Sequence, residues 1–494
     1  MPSTTIKYVF WAPPESYDPY QSDGMENMAI AKNIYAPLVS TFLEGRPQGM
    51  IAKKWETSKD GKTWRFTIRE NLHFTDGTPI TPEIVLKNFK RILWLTRTAG
   101  LALNRYLPEV EKWADYSRPP TCIYIDGDDI VFKFTTQPND LFEALEKPLY
   151  SIANPKCFDE SGHWKEKGCL YESGQYKIAK KLSDRLILEN RHIYPEVAGA
   201  PDIVEFITSI PQSTTRLDWT LKNREDLSLL GSLGVGKYEM EEIAKAGYHT
   251  LPEPPLRMHY LRLNHKRPPF NHKALRQSIR DNFLTLLAKD PDFTSEITLN
   301  SSFIPPGGMG YLPIETPKFP AKATKLKGVK IKVLLPPSAP KQNPILKTDK
   351  YSKALESALL TTLKTHGFEI ESSRDYANVY EKTKSGYFDV MFNYSGLSVQ
   401  DPYEALRMMF MSDVGACIPD PSGNIPRYIL KGQNAISASE RRNYAEKINQ
   451  SVFDEAAVIT FTHSGFLYLY SPEIDVSHMN IFSDPVEFRA ISKK

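Results

Sequence analysis

The segment KDGKTWRFTIRENLHFTDGTPITPEIVLKNFKRI, residues 59–92, constrains the fold more than any other part of this 494-residue chain. Trp64, Phe66 and Ile68 alternate with Arg65, Thr67 and Arg69, and a period of two predicts a strand with one buried and one wet face. Asp60-Gly61 and Asp76-Gly77 are turn pairs, because glycine readily takes positive φ. Thr81 reads as an N-cap, Pro82 suits the first helical position and Glu83 complements the helix dipole. Val85, Phe89, Ile92 and Leu93 follow at helical spacing. The result is a β-β-α unit made for packing. Apart from a lone His73 it contains no His, Cys or Ser that could do chemistry.

Further hairpins follow. CIYIDGDDIVFKF turns at Asp126 to Asp129, and YKIAKKLSDRLILEN turns at Ser183-Asp184, which predicts antiparallel strands on short connections. The Pro-rich stretch LPEPPLRMHYLRLNHKRPPF (251–270) marks a boundary. Beyond it the pattern becomes strand (329–335), helix (351–367), then the strands FEIESS and YFDVMFNYSG. That order predicts a sheet with crossover helices. Leu355, Leu359 and Leu363 form the helix's core stripe and Gly367 stops it. Ser437 with Glu440 reads as a capping box for a helix over 439–455.

Length and a hydrophobic fraction of 41% suit two or three packed cores, since single cores stop growing at about 250–300 residues. The balance of 62 basic and 59 acidic residues has no concentrated basic run of the kind a nucleic-acid binder shows. No stretch approaches a membrane helix. MPSTTIKYVFW runs into a strand-like pattern without a basic n-region or apolar h-region, so the chain is read as cytosolic or as exported with its signal removed. Four cysteines are present: Cys122, Cys157, Cys169 and Cys417. Cys157 and Cys169 flank a polar loop. They are read either as a disulfide, in an oxidising compartment, or as two thiols. A metal site using His163 matches no zinc spacing.

Two decoys are set aside. GSLGVGKY (231–238) fits a P-loop until its last position, where Tyr238 replaces the small hydroxyl that ligates Mg²⁺. His463 and Ser464 are adjacent, but neighbours in sequence do not make a triad. No metal ligand set, cofactor motif or catalytic constellation remains. Aromatic-rich loops such as WAPPESYDPY and MFNYSG suit a ligand cleft.

The order of motifs resembles the family 5 extracellular solute-binding proteins, the peptide- and nickel-type binding components of ABC importers. The resemblance rests on WETSKDGKTWRFTIRENLHFTDGTPITPEIVLKNFKRI, YDPY (17–20), ESGQYKI with its Gly174 and Tyr176, LRLNHKRPPFNHKALRQSI, SFIPPGGMGY and YFDVMFNYSGLSVQDPYEALRMMF. It implies an α/β, two-lobed periplasmic-binding-protein-like fold (type II, cluster C) with an extra β-rich subdomain in lobe 1. Lobe 1 would comprise residues 1–45, the subdomain 46–165, then 166–255, with a C-terminal return over 466–494. Lobe 2 would be 256–465. The β-β-α unit falls in the subdomain and has no catalytic duty.

The same resemblance implies that the chain is no enzyme. It would be a monomeric solute receptor of the periplasm or cell envelope, soluble or lipid-anchored, working with the transmembrane permease subunits of an ABC importer. Its ligand would be a small molecule or short peptide, with no nucleic acid and no cofactor. The implied ligand-binding residues are Tyr20, Asp23, Gly24 and Met25 after YDPY, and Asn393, Tyr394, Ser395, Ser398 and Asp401 in FNYSGLSVQDP. Ser398 stands where peptide binders carry the acid for a peptide's α-amine, and its loss removes a charge-assisted bond of about 1.5–3 kcal/mol. Asp401 also reads as an Asp-Pro turn residue. A metal chelate, with Arg374 as its anchor, or a sugar are alternative ligands. A scaffold that has lost its ligand is an alternative of a different class.

Overall fold

The computed structural model describes all residues except 1–2, 11, 22–24, 42–45, 98–101, 166–167, 212, 232–234, 236, 296, 336–349, 376–378, 398–400, 412–422, 436 and 481–485. It divides into two compact units. Unit 1 is Met1–Leu229, Ala244–Leu251 and Tyr468–Lys494; unit 2 is Leu230–Ile243 and Pro252–Leu467. Residues 230–243 therefore group with unit 2, whereas the family resemblance implied the first lobe for them. This glycine-rich stretch has no apolar periodicity that would assign it. Residues 232–234 and 236 of the P-loop-like segment lie outside the described residues.

Unit 1 holds a seven-stranded mixed sheet in the order His249–Pro252, Phe466–Tyr470, Leu227–Gly231, Thr5–Val9, Ile203–Ile207, Arg185–Asn190, Tyr176–Lys181. Thr5–Val9 runs parallel to both Ile203–Ile207 and Leu227–Gly231. The Ser183-Asp184 hairpin is the antiparallel edge of this sheet. The two retained glycine-tyrosine positions have physical reasons. A Cβ on Gly174 would lie 2.4 Å from the Ile34 carbonyl carbon, so only glycine lets these backbones meet. Tyr176 is buried and its hydroxyl donates to Pro201 O at 3.0 Å.

A separate four-stranded antiparallel sheet, Ala52–Thr57, Thr63–Ile68, Asp129–Lys133, Ile123–Asp126, carries the opening segment. Its buried residues Phe66, Ile68, Ile130 and Phe132 pack against Val85, Phe89, Ile92 and Leu93 of helix Pro82–Leu95. Gly61 and Gly77 both take positive φ, +67° and +82°, as the turns require. Thr81 occupies the N-cap position but its side chain does not cap the helix. It hydrogen-bonds the Glu83 carboxylate, which is the main reason that group sits below its ordinary pKa. The hydroxyl thus donates to a carboxylate two residues on but accepts no helix N–H, so the expected cap is not made.

Unit 2 is built on a five-stranded sheet in the order Phe368–Ser373, Val329–Leu334, Val390–Gly396, Arg257–Leu263, Ile459–Ser464. The first three are parallel; Arg257–Leu263 is antiparallel to both neighbours. Successive side chains leave a strand on opposite faces, and both faces here are covered. Leu261, Leu263, Val333 and Phe461 join Ile279 and Phe283 of helix Lys273–Lys289 and Leu355, Leu359 and Leu363 of helix Lys350–Thr365. Met258 and Tyr260 pack with Phe303, Tyr403 and Ile448 on the other face. Ser437 caps helix Ala438–Asp454, its Oγ accepting from Glu440 N at 3.2 Å and donating to the Glu440 carboxylate at 3.1 Å. Cys157 and Cys169 are joined as a disulfide, with Cα atoms 5.4 Å apart.

Candidate functional site

In unit 1 the YDPY motif is a rigid turn. The carboxylate of Asp18 accepts from both terminal nitrogens of Arg91, at 3.0 and 2.6 Å, and from Tyr20 N at 3.0 Å. Asn27, on helix Met25–Ile34, clamps the same turn. Its Oδ1 accepts from Glu15 N and Ser16 N, and its Nδ2 donates to Gln21 O at 2.7 Å. Tyr35 adds a hydroxyl bond to Tyr17 O at 2.9 Å. Of the implied ligand residues, Tyr20 is 36% exposed and Met25 is half-buried at the helix start. Asp23 and Gly24 lie outside the described residues.

In unit 2, Asn393, Tyr394 and Ser395 occupy the carboxyl end of strand Val390–Gly396, the end at which ligands bind in open α/β sheets. Tyr394 faces His259 across the strand pair. Their rings lie 6.1 Å apart, and Tyr394 is 67% exposed. Ser395 points to the opposite face, 3.2 Å from the Tyr260 hydroxyl. Asn393 Oδ1 accepts from Tyr394 N at 2.8 Å, which fixes its rotamer. Ser398 lies outside the described residues.

Asp401 is placed differently from these. It is buried, accepts from Tyr403 N at 3.0 Å at the start of helix Tyr403–Met411, and forms an ion pair with buried Arg441. Arg441 in turn donates to the carbonyls of Gly432 and Gln433. The Asp401 carboxylate is thus engaged inside the helical layer of unit 2. Arg374 is paired with Glu356 of helix Lys350–Thr365.

Sequence reasoning missed His259, and it weighed Ser464 only against its neighbour His463. His259 Nε2 lies 2.7 Å from Ser464 Oγ, across 205 residues and beside a register irregularity at His259/Tyr260. Burial is the main force pushing His259 down to about 4, with His463 and Arg257 adding positive charge nearby. His463 is likewise pushed to about 4 by burial. Both imidazoles are therefore neutral at pH 7. Among the described residues no carboxylate pairs with His259. The Ser464–His259 contact is thus a hydrogen-bonded pair without a carboxylate behind the imidazole among the described residues. Arg257, whose charge lies near this pair, is itself held by Glu253 at 3.1 Å and stacked 3.7 Å over the Phe466 ring. A histidine set in the alternating strand MHYLRL was the available sequence signal. Among the described residues no group of three or more His, Cys, Asp or Glu could hold a metal ion.

The model for bacterial extracellular solute-binding proteins, family 5 (middle region), matches residues 46–416. The chain belongs to this family. Family 5 solute-binding proteins are binding proteins and not enzymes. The periplasmic oligopeptide-binding protein OppA of Salmonella typhimurium is 23% identical over 316 residues, covering 59% of this chain and 53% of that protein. The nickel-binding periplasmic protein of Escherichia coli is 23% identical over 415 residues, covering 80% and 75%. The chain spans about half the length of the first curated relatives it matches.

Among solved structures, Haemophilus influenzae OppA in complex with RPPGFSPFR superposes with a TM-score of 0.78 at 16% identity, covering 100% of this chain and 99% of that one. NikA of Brucella suis in complex with Fe(III)-EDTA gives 0.74 at 18% identity, covering 99% and 100%. This family 5 protein therefore has the periplasmic-binding-protein-like α/β fold that its motifs imply.

Proposed function

We propose that this protein is the extracytoplasmic receptor of an ABC importer, capturing a small solute, a short peptide or peptide-like compound, and delivering it to a membrane permease. The observation that carries this reading is the whole-chain structural likeness to a protein solved with a bound peptide, OppA with RPPGFSPFR. In this reading the protein works as a monomer in the periplasm or at the cell envelope. Tyr20, Asp23, Gly24 and Met25 of unit 1 and Asn393, Tyr394, Ser395 and Ser398 of unit 2 contact the solute. His259, whose ring lies against Tyr394, and the buried Ser464 back this surface. Asp401 acts as a positioning residue, pinning the start of helix Tyr403–Met411 through its pair with Arg441.

The described part of this surface recognises by ring stacking and neutral hydrogen bonds. Tyr394, His259, Ser464, Ser395 and Asn393 supply donors and acceptors without a net charge. A metal chelate is the second reading. It is favoured by the match to the nickel-binding protein over 80% of this chain.

Native mass spectrometry of the protein as purified tests the proposal, because a retained solute appears as a defined mass increment. Thermal shift against panels of peptides and metal chelates tests it independently, since a bound ligand stabilises by RT ln(1 + [L]/Kd). A peptide that raises the melting temperature, with no response to chelates, supports the first reading; the reverse supports the second. No shift with either panel, and no retained mass, removes both.

A further inference from the structure

Residues 311–328 of unit 2 run without helix or strand, yet they are strapped to its surface. Thr285 Oγ1 donates to Pro317 O at 3.2 Å, and Ser278 Oγ donates to Lys322 O at 3.0 Å. Leu326 N donates to His366 O at 2.8 Å, and the Leu326 side chain packs against the core. Gly367 makes room for this contact. A Cβ there would lie 2.2 Å from Leu326 O, and its φ of +86° already favours glycine. The side chains that face outward are held there by these anchors.

What they present is chemically uniform. Residues 315–332 contain six lysines and one acidic residue, Glu315; in the rest of the chain acidic residues slightly outnumber basic ones. Lys318, Lys322, Lys325, Lys327 and Lys330 are all exposed. Glu315 and Glu369 approach Lys318 and Lys330 at 3.9 and 4.0 Å, exposed pairs that neutralise little. Lys322 and Lys327 have no acidic partner among the described residues, and Lys325 Nζ donates to Thr365 O at 3.0 Å. Phe319 sits among them, between Pro317 and Pro320, with 81% of its surface in solvent. A fixed, proline-bracketed aromatic ring surrounded by lysines has the make-up of an interfacial anchor. The ring enters the headgroup–acyl boundary while ammonium groups meet anionic headgroups.

We propose that the 317–330 strap docks unit 2 on an anionic lipid bilayer surface. The charge complementarity is local, and the exposed ring distinguishes a membrane from a purely acidic protein partner, which would leave Phe319 without an apolar counterpart.

Sedimentation with lipid vesicles at low salt tests this. The full chain is expected to pellet with vesicles of equal phosphatidylglycerol and phosphatidylcholine, to stay in solution with phosphatidylcholine alone, and to be released by high salt. The triple variant Lys322→Gln, Lys325→Gln, Lys327→Gln should lose at least about tenfold in partitioning. Phe319→Ser should weaken binding while leaving its salt dependence. All these side chains are exposed, so both variants should keep the wild-type melting temperature, which excludes misfolding as the cause. Wild-type protein that stays in solution with anionic vesicles overturns the proposal and would turn attention to an acidic protein segment. Equal partitioning of the triple variant and the wild type also overturns it.

Discussion

Arg91 and Asp18 form a two-pronged ion pair in which both side chains are almost completely buried, 1% and 2% exposed. Arg91 lies on the helix of the β-β-α unit; Asp18 lies in the YDPY turn. Arg91 is enclosed further by Gly162 O, which accepts from its Nε at 2.7 Å, and by the rings of Phe158 and Trp164. A segment without catalytic residues thus fixes the turn that precedes Tyr20 and Met25. Removing one partner of a buried pair leaves an uncompensated charge and costs about 3–5 kcal/mol. Asp18→Asn and Arg91→Met should each lower stability in urea unfolding by about that amount. The double variant should lose clearly less than the sum.

That pair also shows where sequence reading stops. Asp60-Gly61, the alternation of Trp64, Phe66 and Ile68, and the Ser437–Glu440 cap were legible because each is decided by residues within one turn or strand. Asp18 and Arg91 are 73 positions apart, and His259 and Ser464 are 205 apart. No local periodicity encodes such partners. Thr81 shows a third case: its position at the helix start was legible, but its bond to the Glu83 carboxylate in place of a helix N–H was not. At the candidate site, Tyr394 and its neighbours came from motif resemblance, whereas His259 became visible only when the strands were paired.

The Cys157–Cys169 disulfide closes the loop that carries Phe158, Gly162 and Trp164, the residues around Arg91. In the chain-entropy model a short closed loop of this kind stabilises by about 2–3 kcal/mol. Adding a reductant, or substituting Cys157→Ser with Cys169→Ser, should lower the melting temperature without abolishing solute binding. Calorimetry with and without reductant checks this, and the double variant should no longer respond to reductant. Cys122 is buried, and burial pushes its thiol up to about 11, so it should stay unmodified by thiol reagents in the folded state.

His192 in unit 1 takes a left-handed backbone conformation, φ +52°. Its ring nitrogens lie 2.7 Å from Glu196 and 3.1 Å from Asp202. The hydrogen bond to Glu196 is the largest reason its pKa is raised, with the charges of both carboxylates adding to it. A folded pKa above the unfolded value means that its stabilisation is full below the unfolded value of about 6.5 and is lost as pH rises through the folded pKa. The protein should therefore lose part of its stability as pH rises above about 6.5. His192→Gln should flatten that limb in unfolding experiments run across the range, and an unchanged limb would rule out the assignment.

His259 and His463 respond with the opposite sign. Burial holds both at about 4 in the folded protein, while in the unfolded chain they titrate near about 6.5. As pH falls between those values the unfolded state takes up protons that the folded state refuses, so stability declines. His259→Gln, which keeps a neutral partner for Ser464, should make that decline shallower by close to one proton. The same neutrality bears on recognition. If His259 contacts the solute, its part in affinity should stay constant from about pH 5.5 to 8, because its imidazole stays neutral there. Tyr394 is exposed, so Tyr394→Ala should weaken solute binding by removing a stacking face while the melting temperature of the ligand-free protein stays put. Titration calorimetry at several pH values, with the solute identified from the purified protein, measures both effects. An affinity that follows a pKa near 6 would place a charged imidazole at the site and contradict the neutral surface argued for unit 2.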